Sequence, residues 1–312
     1  MITFIQLEYI TALDTYRHFA TAADKCFVTQ PTLSMQIKKL EEELEVVLFD
    51  RTKQPVIPTE QGKQVIAQAR VVLQEAAKIE NLINDLKQQV KGVLRIGLIP
   101  TVAPYLLPLF AGNFKVTYPD VELIVEEAVT EKIEKMLEQD TLDVGIVVTP
   151  LHNNQIIEHP IYYEEMLIYH HAGHPVAQQP VIKVNEIDPN EIWLLGDGHC
   201  FRNQVINFCD LKNIKTSQLP FKFEAGSIDT LMKIIDREGG YTLIPELAAL
   251  EKEGSKQIKS FDGITPLREV SLVYTRKFAK TRLIELLAES IKQSVPGKLL
   301  DRERGSVVEW RE

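Results

Sequence analysis

Eight apolar residues recur at alternating intervals of four and three along residues 59–90. Kept over more than three heptads, this spacing places one apolar seam along a helix, while Gln, Glu, Lys and Asp fill much of the remaining surface. The pattern predicts a linker and dimerisation helix at 59–90 between separate domains at 1–58 and 91–312. An amphipathic helix lying on its own domain is the alternative. The seam residues are Val65, Ala69, Val72, Ala76, Ile79, Ile83, Leu86 and Val90.

Residues 7–48 have the pattern of three short helices, of which the second and third form a helix-turn-helix. Small side chains at Ala22 and Ala23 let two helices cross closely. Thr29 can cap the third helix, and Pro31 suits its first turn. The outward face of that helix carries groups able to hydrogen-bond base edges and phosphates in a DNA major groove. These residues are Gln30, Thr32, Ser34, Gln36 and Lys38.

Residues 49–58 predict two short extended segments around a turn that carries Arg51 and Lys53. A winged helix-turn-helix uses such a hairpin to contact DNA phosphates, and an ordinary solvated hairpin is the alternative. The net charge of −9 argues against nucleic-acid binding unless basic residues are clustered. Since residues 1–58 hold six Lys and Arg against eight Asp and Glu, any positive surface is a narrow stripe. We therefore expect modest, salt-sensitive DNA affinity per subunit.

From residue 93 onward, strands alternate with helices, which predicts an α/β fold with mostly parallel, doubly wound sheets. The run is too long for one small sheet. It predicts two lobes, the first made of residues 91–165 and 269–312 and the second of residues 166–268. Strands are predicted at 93–99, 121–125, 142–148, 166–169, 192–195, 222–224, 241–244 and 270–274, and helices at 131–139 and 281–291.

Polar side chains lie where several of these strands end. In open parallel sheets, ligands bind beyond the carboxyl ends of the strands. Thr101, Thr130 and Ser227 occupy such positions, as does His199 together with Cys200. A simpler role for Thr130 and Ser227 is to cap a helix. Together these residues predict a small polar pocket around Cys200.

Cys200 and Cys209 lie at the two ends of a predicted helix. Nine helical residues separate their Cα atoms by roughly 13 Å, whereas a disulfide needs them within about 7 Å. A bond between them would require the helix to unwind. The helix N-terminus, His199 and Arg202 could each stabilise a Cys200 thiolate. A redox switch is therefore one interpretation, and a pair of small core cysteines is the other.

The composition is that of a globular chain, with 45% hydrophobic and 25% charged residues. No segment has the length of a membrane span or the pattern of a signal peptide. We therefore expect a cytoplasmic protein without a membrane partner, whose three cysteines are kept reduced. His170, His171 and His174 are clustered, but their run has the composition of a loop, so we expect no metal and no cofactor.

Along nearly its whole length the chain resembles the LysR-type transcriptional regulators. This family joins a winged helix-turn-helix and a linker helix to a two-lobed effector domain similar to periplasmic binding proteins. The runs at 97–108 and 198–200, together with Cys209, resemble the peroxide-sensing members of the family. The residues that match the family's recognition helix are Gln30, Pro31, Thr32 and Ser34.

The resemblance implies that hydrogen peroxide oxidises Cys200 to a sulfenic acid and that Cys209 resolves it as a disulfide. It implies that the disulfide refolds the segment between the cysteines and repositions the DNA-binding heads. The implied partners are double-stranded DNA at promoters, hydrogen peroxide, further copies of the chain in a homodimer or homotetramer, and RNA polymerase. The residues implied to surround the reactive sulfur and the peroxide are Thr101, Thr130, His199 and Arg268.

Two other functions stay open at this point. The effector of a LysR-type regulator could be a small metabolite bound between the lobes, with the cysteines as bystanders. A thiol peroxidase belongs to a different class, because Cys200 could then turn over peroxide. The helix-turn-helix and the heptad seam argue against the peroxidase.

Overall fold

The computed structural model describes residues 1–86, 90–211, 220–221, 223–252, 254–276 and 281–311. The chain divides into two compact units. The first is built mainly from Met1–Val90, and the second mainly from Lys91–Glu138 and Leu142–Arg276. No helix within the described ranges is both long enough and apolar enough to cross a membrane.

The first unit opens with three helices that share one apolar core. They are α1 (Phe4–Tyr16), α2 (Phe19–Lys25) and α3 (Gln30–Leu44). α1 begins with a capping box, in which Thr3 Oγ1 accepts from the Gln6 amide and the Gln6 side chain accepts from the Thr3 amide. Thr29 caps α3, as predicted, by accepting from the Thr32 amide at 3.4 Å, and Pro31 lies in the first turn. The predicted helix-turn-helix is therefore confirmed.

The predicted wing is a short antiparallel hairpin of β1 (Phe49–Asp50) and β2 (Ile57–Pro58). Glu41 on α3 anchors it with both carboxylate oxygens. One accepts from the Leu48 amide at 2.8 Å, and the other lies 2.7 Å from a guanidinium nitrogen of Arg51. A single charged side chain thus fixes the wing to the third helix.

A long helix, α4 (Glu60–Leu86), follows the wing along most of the predicted linker. On the seam, Ala69 is buried, but the Ile79 side chain is 66% exposed. The side chains of Ile83 and Leu86 lie outside the described residues. Dimerisation through this helix stays a prediction.

Gly62 lies where the start of α4 passes very close to the wing. A Cβ atom at this position would be 2.0 Å from the Leu48 carbonyl oxygen. The Thr59 hydroxyl accepts from the Gly62 amide at 2.9 Å and donates to the Val47 carbonyl at 2.7 Å. The helix start and the chain leading into β1 are therefore joined through a contact that leaves no room for a side chain.

We expect Gly62→Ala to lower the free energy of unfolding of the first unit by about 1–3 kcal/mol, because the added methyl group must displace the Leu48 carbonyl. Gln64→Ala, at an exposed position of the same helix, should change it by less than about 0.5 kcal/mol. Urea unfolding followed by circular dichroism measures both variants. Equal unfolding free energies would contradict the close contact.

Eight strands form the sheet of the second unit among the described residues. They are β3 (Gly92–Leu98), β4 (Val121–Glu127), β5 (Val144–Thr149), β6 (Ile156–His170), β7 (Tyr241–Pro245), β8 (Ile258–Lys259), β9 (Pro266–Thr275) and β10 (Ser306–Val307). Their order is β4-β3-β5-β9-β6-β7, with β8 beside β6 and β10 beside β9. β3 runs parallel to β4 and β5, but β9 enters between β5 and β6 antiparallel to both. The sheet is therefore mixed, and the expectation of a mostly parallel sheet is wrong.

Helices flank this sheet, and two of them, Thr130–Glu138 and Thr281–Ser294, match the helices predicted at 131–139 and 281–291 with small shifts at their ends. In the described part of the second unit, the α-helices are α5 (Ala103–Thr117), α6 (Thr130–Glu138), α7 (Cys200–Phe208), α8 (Ile228–Glu238), α9 (Glu246–Leu250) and α10 (Thr281–Ser294). β6 crosses the predicted lobe boundary at residue 165 without a break. The division into lobes stays a prediction.

Among the described residues, two of the predicted strands are not formed. Within 192–195, Ile192 and Leu195 make isolated bridges to Tyr241 and Ala225, two different parts of the chain. With no continuous partner, the stretch cannot extend into a ladder. Of 222–224, residues 223 and 224 are not in a strand, and residue 222 lies outside the described residues.

Candidate functional site

Cys200 is the first residue of α7, and only 3% of its surface is exposed. Burial raises the pKa of its thiol, whereas the Arg268 guanidinium, the Thr130 side chain and the first backbone amides of the helix lower it. Those amides point towards the sulfur because the first turn of a helix leaves them unpaired. The net pKa is raised, so the resting thiol is protonated at neutral pH. The neighbouring groups therefore stabilise a Cys200 thiolate, but the resting side chain is a neutral thiol.

Arg268 comes from β9 and is fully buried. Its Nε donates to Glu164 Oε1 at 2.7 Å, and its two terminal nitrogens donate to the Thr101 hydroxyl and carbonyl at 3.1 and 2.9 Å. Its Cζ also lies 5.0 Å from the centroid of the Phe201 ring. A guanidinium held by all these contacts presents a stationary positive charge to Cys200.

Glu164 on β6 is the buried counterion of Arg268. Its second oxygen accepts from the Leu247 amide at 3.1 Å. Burial raises the pKa of Glu164, and Arg268 and the Leu247 amide oppose that effect. The Glu164 carboxylate and a Cys200 thiolate therefore compete for one guanidinium. Sequence reasoning missed Glu164; the only signal was a charged pair inside the otherwise apolar run at 161–169.

The threonines predicted at strand ends both belong to this site. Thr101, after β3, is buried and accepts from Arg268. Thr130 is the first residue of α6, and its buried hydroxyl has no hydrogen-bond partner within the described structure. It nevertheless lowers the pKa of Cys200, so it is close enough to stabilise the sulfur anion. An unpaired buried hydroxyl is costly, and it is available to a small polar molecule or to an anionic sulfur.

The two basic residues nearest to Cys200 in sequence do not supply the charge. Burial lowers the pKa of His199, so its imidazole is neutral at neutral pH. The Arg202 guanidinium lies 3.0 Å from the Asp197 carboxylate and donates to a backbone carbonyl, also at 3.0 Å. The expectation that these cations stabilise the thiolate is therefore wrong, and Arg268 takes that role.

Other candidates have local roles. Ser227 caps α8 by accepting from the Thr230 amide at 3.3 Å, which is the simpler of the two roles that the sequence allowed. Of the clustered histidines, His170 Nδ1 lies 2.8 Å from a backbone carbonyl and His174 Nε2 lies 3.1 Å from Glu191. In the part of the chain that the structure describes, no group of His, Cys, Asp and Glu is arranged to hold a metal ion.

Cys209 caps the far end of α7 and is also buried. Burial raises the pKa of its thiol to about 12. Both cysteines are free thiols, and the chain between them is helical, as predicted. Their Cα atoms are thus roughly 13 Å apart along the helix, farther than the about 7 Å that a disulfide spans. Neither sulfur can reach the other unless α7 unwinds.

The side chains predicted to contact DNA lie on α3 and on the wing. Lys53 is exposed. Arg51 is exposed as well, but Glu41 holds it, and its Cζ lies 5.4 Å from the Phe19 ring centroid. These two contacts fix the orientation of the Arg51 guanidinium in the unbound protein. On α3, Gln30, Pro31 and Lys38 are exposed, and Thr32, Ser34 and Gln36 are half-buried.

The sequences of the two parts of the chain match two models of one protein family. Residues 4–63 match the bacterial regulatory helix-turn-helix protein of the lysR family, and residues 87–296 match the LysR substrate binding domain. The chain belongs to the LysR family. It is a LysR-type transcriptional regulator and not an enzyme.

Within this family, the chain is similar to peroxide-inducible activators and to OxyR proteins. The chain is 38% identical over 291 residues to the hydrogen peroxide-inducible genes activator of Haemophilus influenzae, which covers 93% of this chain and 96% of that one. It is 35% identical over 293 residues to the DNA-binding transcriptional dual regulator OxyR of Escherichia coli K12, covering 93% and 95%. A full-length OxyR variant from Pseudomonas aeruginosa superposes with a TM-score of 0.79 at 30% identity, covering 95% and 99%.

We expect Arg268→Met to raise the pKa of Cys200 and to slow its alkylation at pH 7 by about tenfold or more, because one pKa unit is a factor of ten in thiolate. Arg202→Met, which removes the arginine nearer in sequence, should leave the rate within about twofold. Both variants are made with Cys26→Ser and Cys209→Ser, so that Cys200 alone reacts.

The pH dependence of the same alkylation rate provides the second measurement. Only the thiolate reacts, and the pKa of Cys200 is raised. The parent rate should therefore still be rising with pH between about pH 6 and about pH 9. A larger slowing in Arg202→Met than in Arg268→Met would assign the charge to Arg202 and contradict this description of the site.

Proposed function

We propose that this regulator senses hydrogen peroxide by oxidation of Cys200 to a sulfenic acid and by disulfide formation with Cys209. The observation that carries the proposal is the arrangement of the two thiols at opposite ends of α7. Cys200 is buried beside a fixed guanidinium and the buried Thr130 hydroxyl, and α7 ends at a second buried thiol. The similarity to a peroxide-inducible activator supports the choice of oxidant.

The first step is nucleophilic attack by sulfur on peroxide. The Cys200 thiolate attacks one oxygen of hydrogen peroxide, a sulfur–oxygen bond forms as the oxygen–oxygen bond breaks, and the leaving oxygen takes up a proton to become water. Arg268 and Thr130 stabilise the anion that starts the step and partly offset its burial. We propose Thr101 and the neutral His199 as further groups that position peroxide, and Ser227 as a more distant part of the pocket.

The second step closes the disulfide. The Cys209 thiolate attacks the sulfenic sulfur of Cys200, a sulfur–sulfur bond forms, and the oxygen leaves as water after protonation. In total, two thiols and one peroxide give one disulfide and two waters. Because burial holds the pKa of Cys209 at about 12, it becomes an effective nucleophile only when α7 unwinds and exposes it. Unwinding of α7 thus brings Cys209 within reach of Cys200 and lets it ionise. Disulfide formation is thereby coupled to a conformational change of this segment.

The first unit provides the DNA-binding part of the proposal. We propose that α3 reads promoter DNA in the major groove and that Arg51 and Lys53 on the wing contact phosphates. A second copy, paired through α4, would supply a second reading helix in a homodimer or homotetramer. The protein would act in the cytoplasm and change its contact with RNA polymerase when oxidised. The α3 residues proposed to contact DNA are Gln30, Pro31, Thr32, Ser34, Gln36 and Lys38.

We expect Cys200→Ser to abolish the response of DNA binding to peroxide while leaving the affinity of the reduced protein for DNA unchanged. In Cys209→Ser, a sulfenic acid should accumulate at Cys200, because the resolving thiol is missing. Mass spectrometry after a short peroxide pulse and rapid alkylation measures the oxidation state of each cysteine. Cys26→Ser is the matched control and should behave as the parent.

A peroxide response that survives in Cys200→Ser would contradict the proposal. A ligand-dependent melting shift in protein that lacks both cysteines would then identify a metabolite as the effector. Steady reductant-dependent consumption of peroxide would instead indicate thiol peroxidase turnover.

A further inference from the structure

The C-terminal segment, residues 306–311, runs beside β9 close to the reactive site. β10 pairs in parallel with Pro266 and Leu267, the two residues that precede Arg268. The Val308 amide continues this pairing by donating to the Leu267 carbonyl at 2.8 Å. The segment therefore lies against the strand that supplies the buried guanidinium.

The same segment is bound to α7, the helix between the two cysteines. The Gln204 side-chain amide donates to the Val308 carbonyl at 2.7 Å, and the Asn207 side-chain amide donates to the Glu309 carbonyl at 3.2 Å. Gln204 is completely buried, and its own carbonyl oxygen has no partner within the described structure. Because these two donors are three residues apart, they face the segment from one side of the helix.

The end of the segment reaches α6, the helix that begins at Thr130. Trp310 is buried and donates from Nε1 to the Val148 carbonyl at 3.2 Å. Arg311 forms an ion pair with Glu134 on α6 and stacks its guanidinium 4.4 Å from the Trp310 ring centroid. The segment thus contacts α6, α7 and β9, the elements that carry Thr130, Cys200 and Arg268.

We propose that the C-terminal segment is a positioning element that holds α7 helical in the reduced protein and must release it before Cys209 can reach Cys200. The proposal rests on the redox function proposed above. Unwinding α7 moves Gln204 and Asn207 and so breaks both of their bonds to the segment. The Val308 carbonyl then loses its buried partner, which opposes the unwinding. The segment therefore delays the second oxidation step without taking part in its chemistry.

Two variants weaken the restraint, and one control leaves it intact. Gln204→Leu removes the buried donor while keeping the size of the side chain, and deletion of residues 308–312 removes the carbonyls themselves. Asn203→Leu, at an exposed position of the same helix, is the control. Hydrogen exchange of the α7 amides in reduced protein should be faster by about tenfold in both variants and unchanged in the control.

The two oxidation steps are then measured separately. Disulfide closure after a peroxide pulse should be faster in Gln204→Leu and in the deletion variant. Sulfenic acid formation, measured in a Cys209→Ser background, should stay within about twofold in Gln204→Leu. A merely structural role would not accelerate one step and spare the other. Gln204→Leu keeps the test decisive if the deletion variant does not fold.

Unchanged exchange of the α7 amides in Gln204→Leu would overturn the proposal, and so would unchanged or slower disulfide closure. If the parent protein itself forms no disulfide, the redox function fails, but the exchange experiment still decides whether the segment restrains α7. The two failures are therefore distinguishable.

Discussion

The buried ion pair between Arg268 and Glu164 is the interaction on which the second unit depends. A charge taken out of water is tolerated only when it is paired and hydrogen-bonded. Arg268 obtains this from Glu164 on β6 and from Thr101 after β3, so residues distant in sequence converge on one side chain. Since the guanidinium cannot turn away, its charge stays beside Cys200. The fold thereby places a cation next to a thiol in a site from which water is largely excluded.

Two features of the fold restrain the reaction of Cys209 with an oxidised Cys200. Burial raises the pKa of both thiols, and α7 holds them at opposite ends. In the proposed mechanism, the unwinding of α7 removes both restraints, because it shortens the separation and exposes Cys209. As proposed above, the buried hydrogen bond from Gln204 to the C-terminal segment opposes this unwinding. The proposed mechanism thus couples disulfide formation to refolding of α7.

Much of the first unit could be predicted from the sequence, because its signals are local. The start of α3 is specified by Thr29 directly before it and by Pro31 in its first turn. The wing likewise pairs residues that are close in sequence. The site was harder to predict from the sequence. His199 and Arg202 are the basic residues nearest to Cys200 in sequence, but the cation that lowers its pKa is Arg268 on a distant strand. Only the family resemblance pointed to Arg268.

The order and direction of the strands could not be predicted either. β9 pairs with β5 and β6, and nothing in its sequence indicates antiparallel partners. Glu164 lies within β6, where its pairing with Arg268 depends on that strand order. Whether disulfide formation requires α7 to unwind can be measured by hydrogen exchange of the α7 amides before and after one equivalent of hydrogen peroxide. Protection should be lost as a Cys200 to Cys209 disulfide forms, whereas a disulfide that forms while the α7 amides stay protected would show that the helix need not unwind.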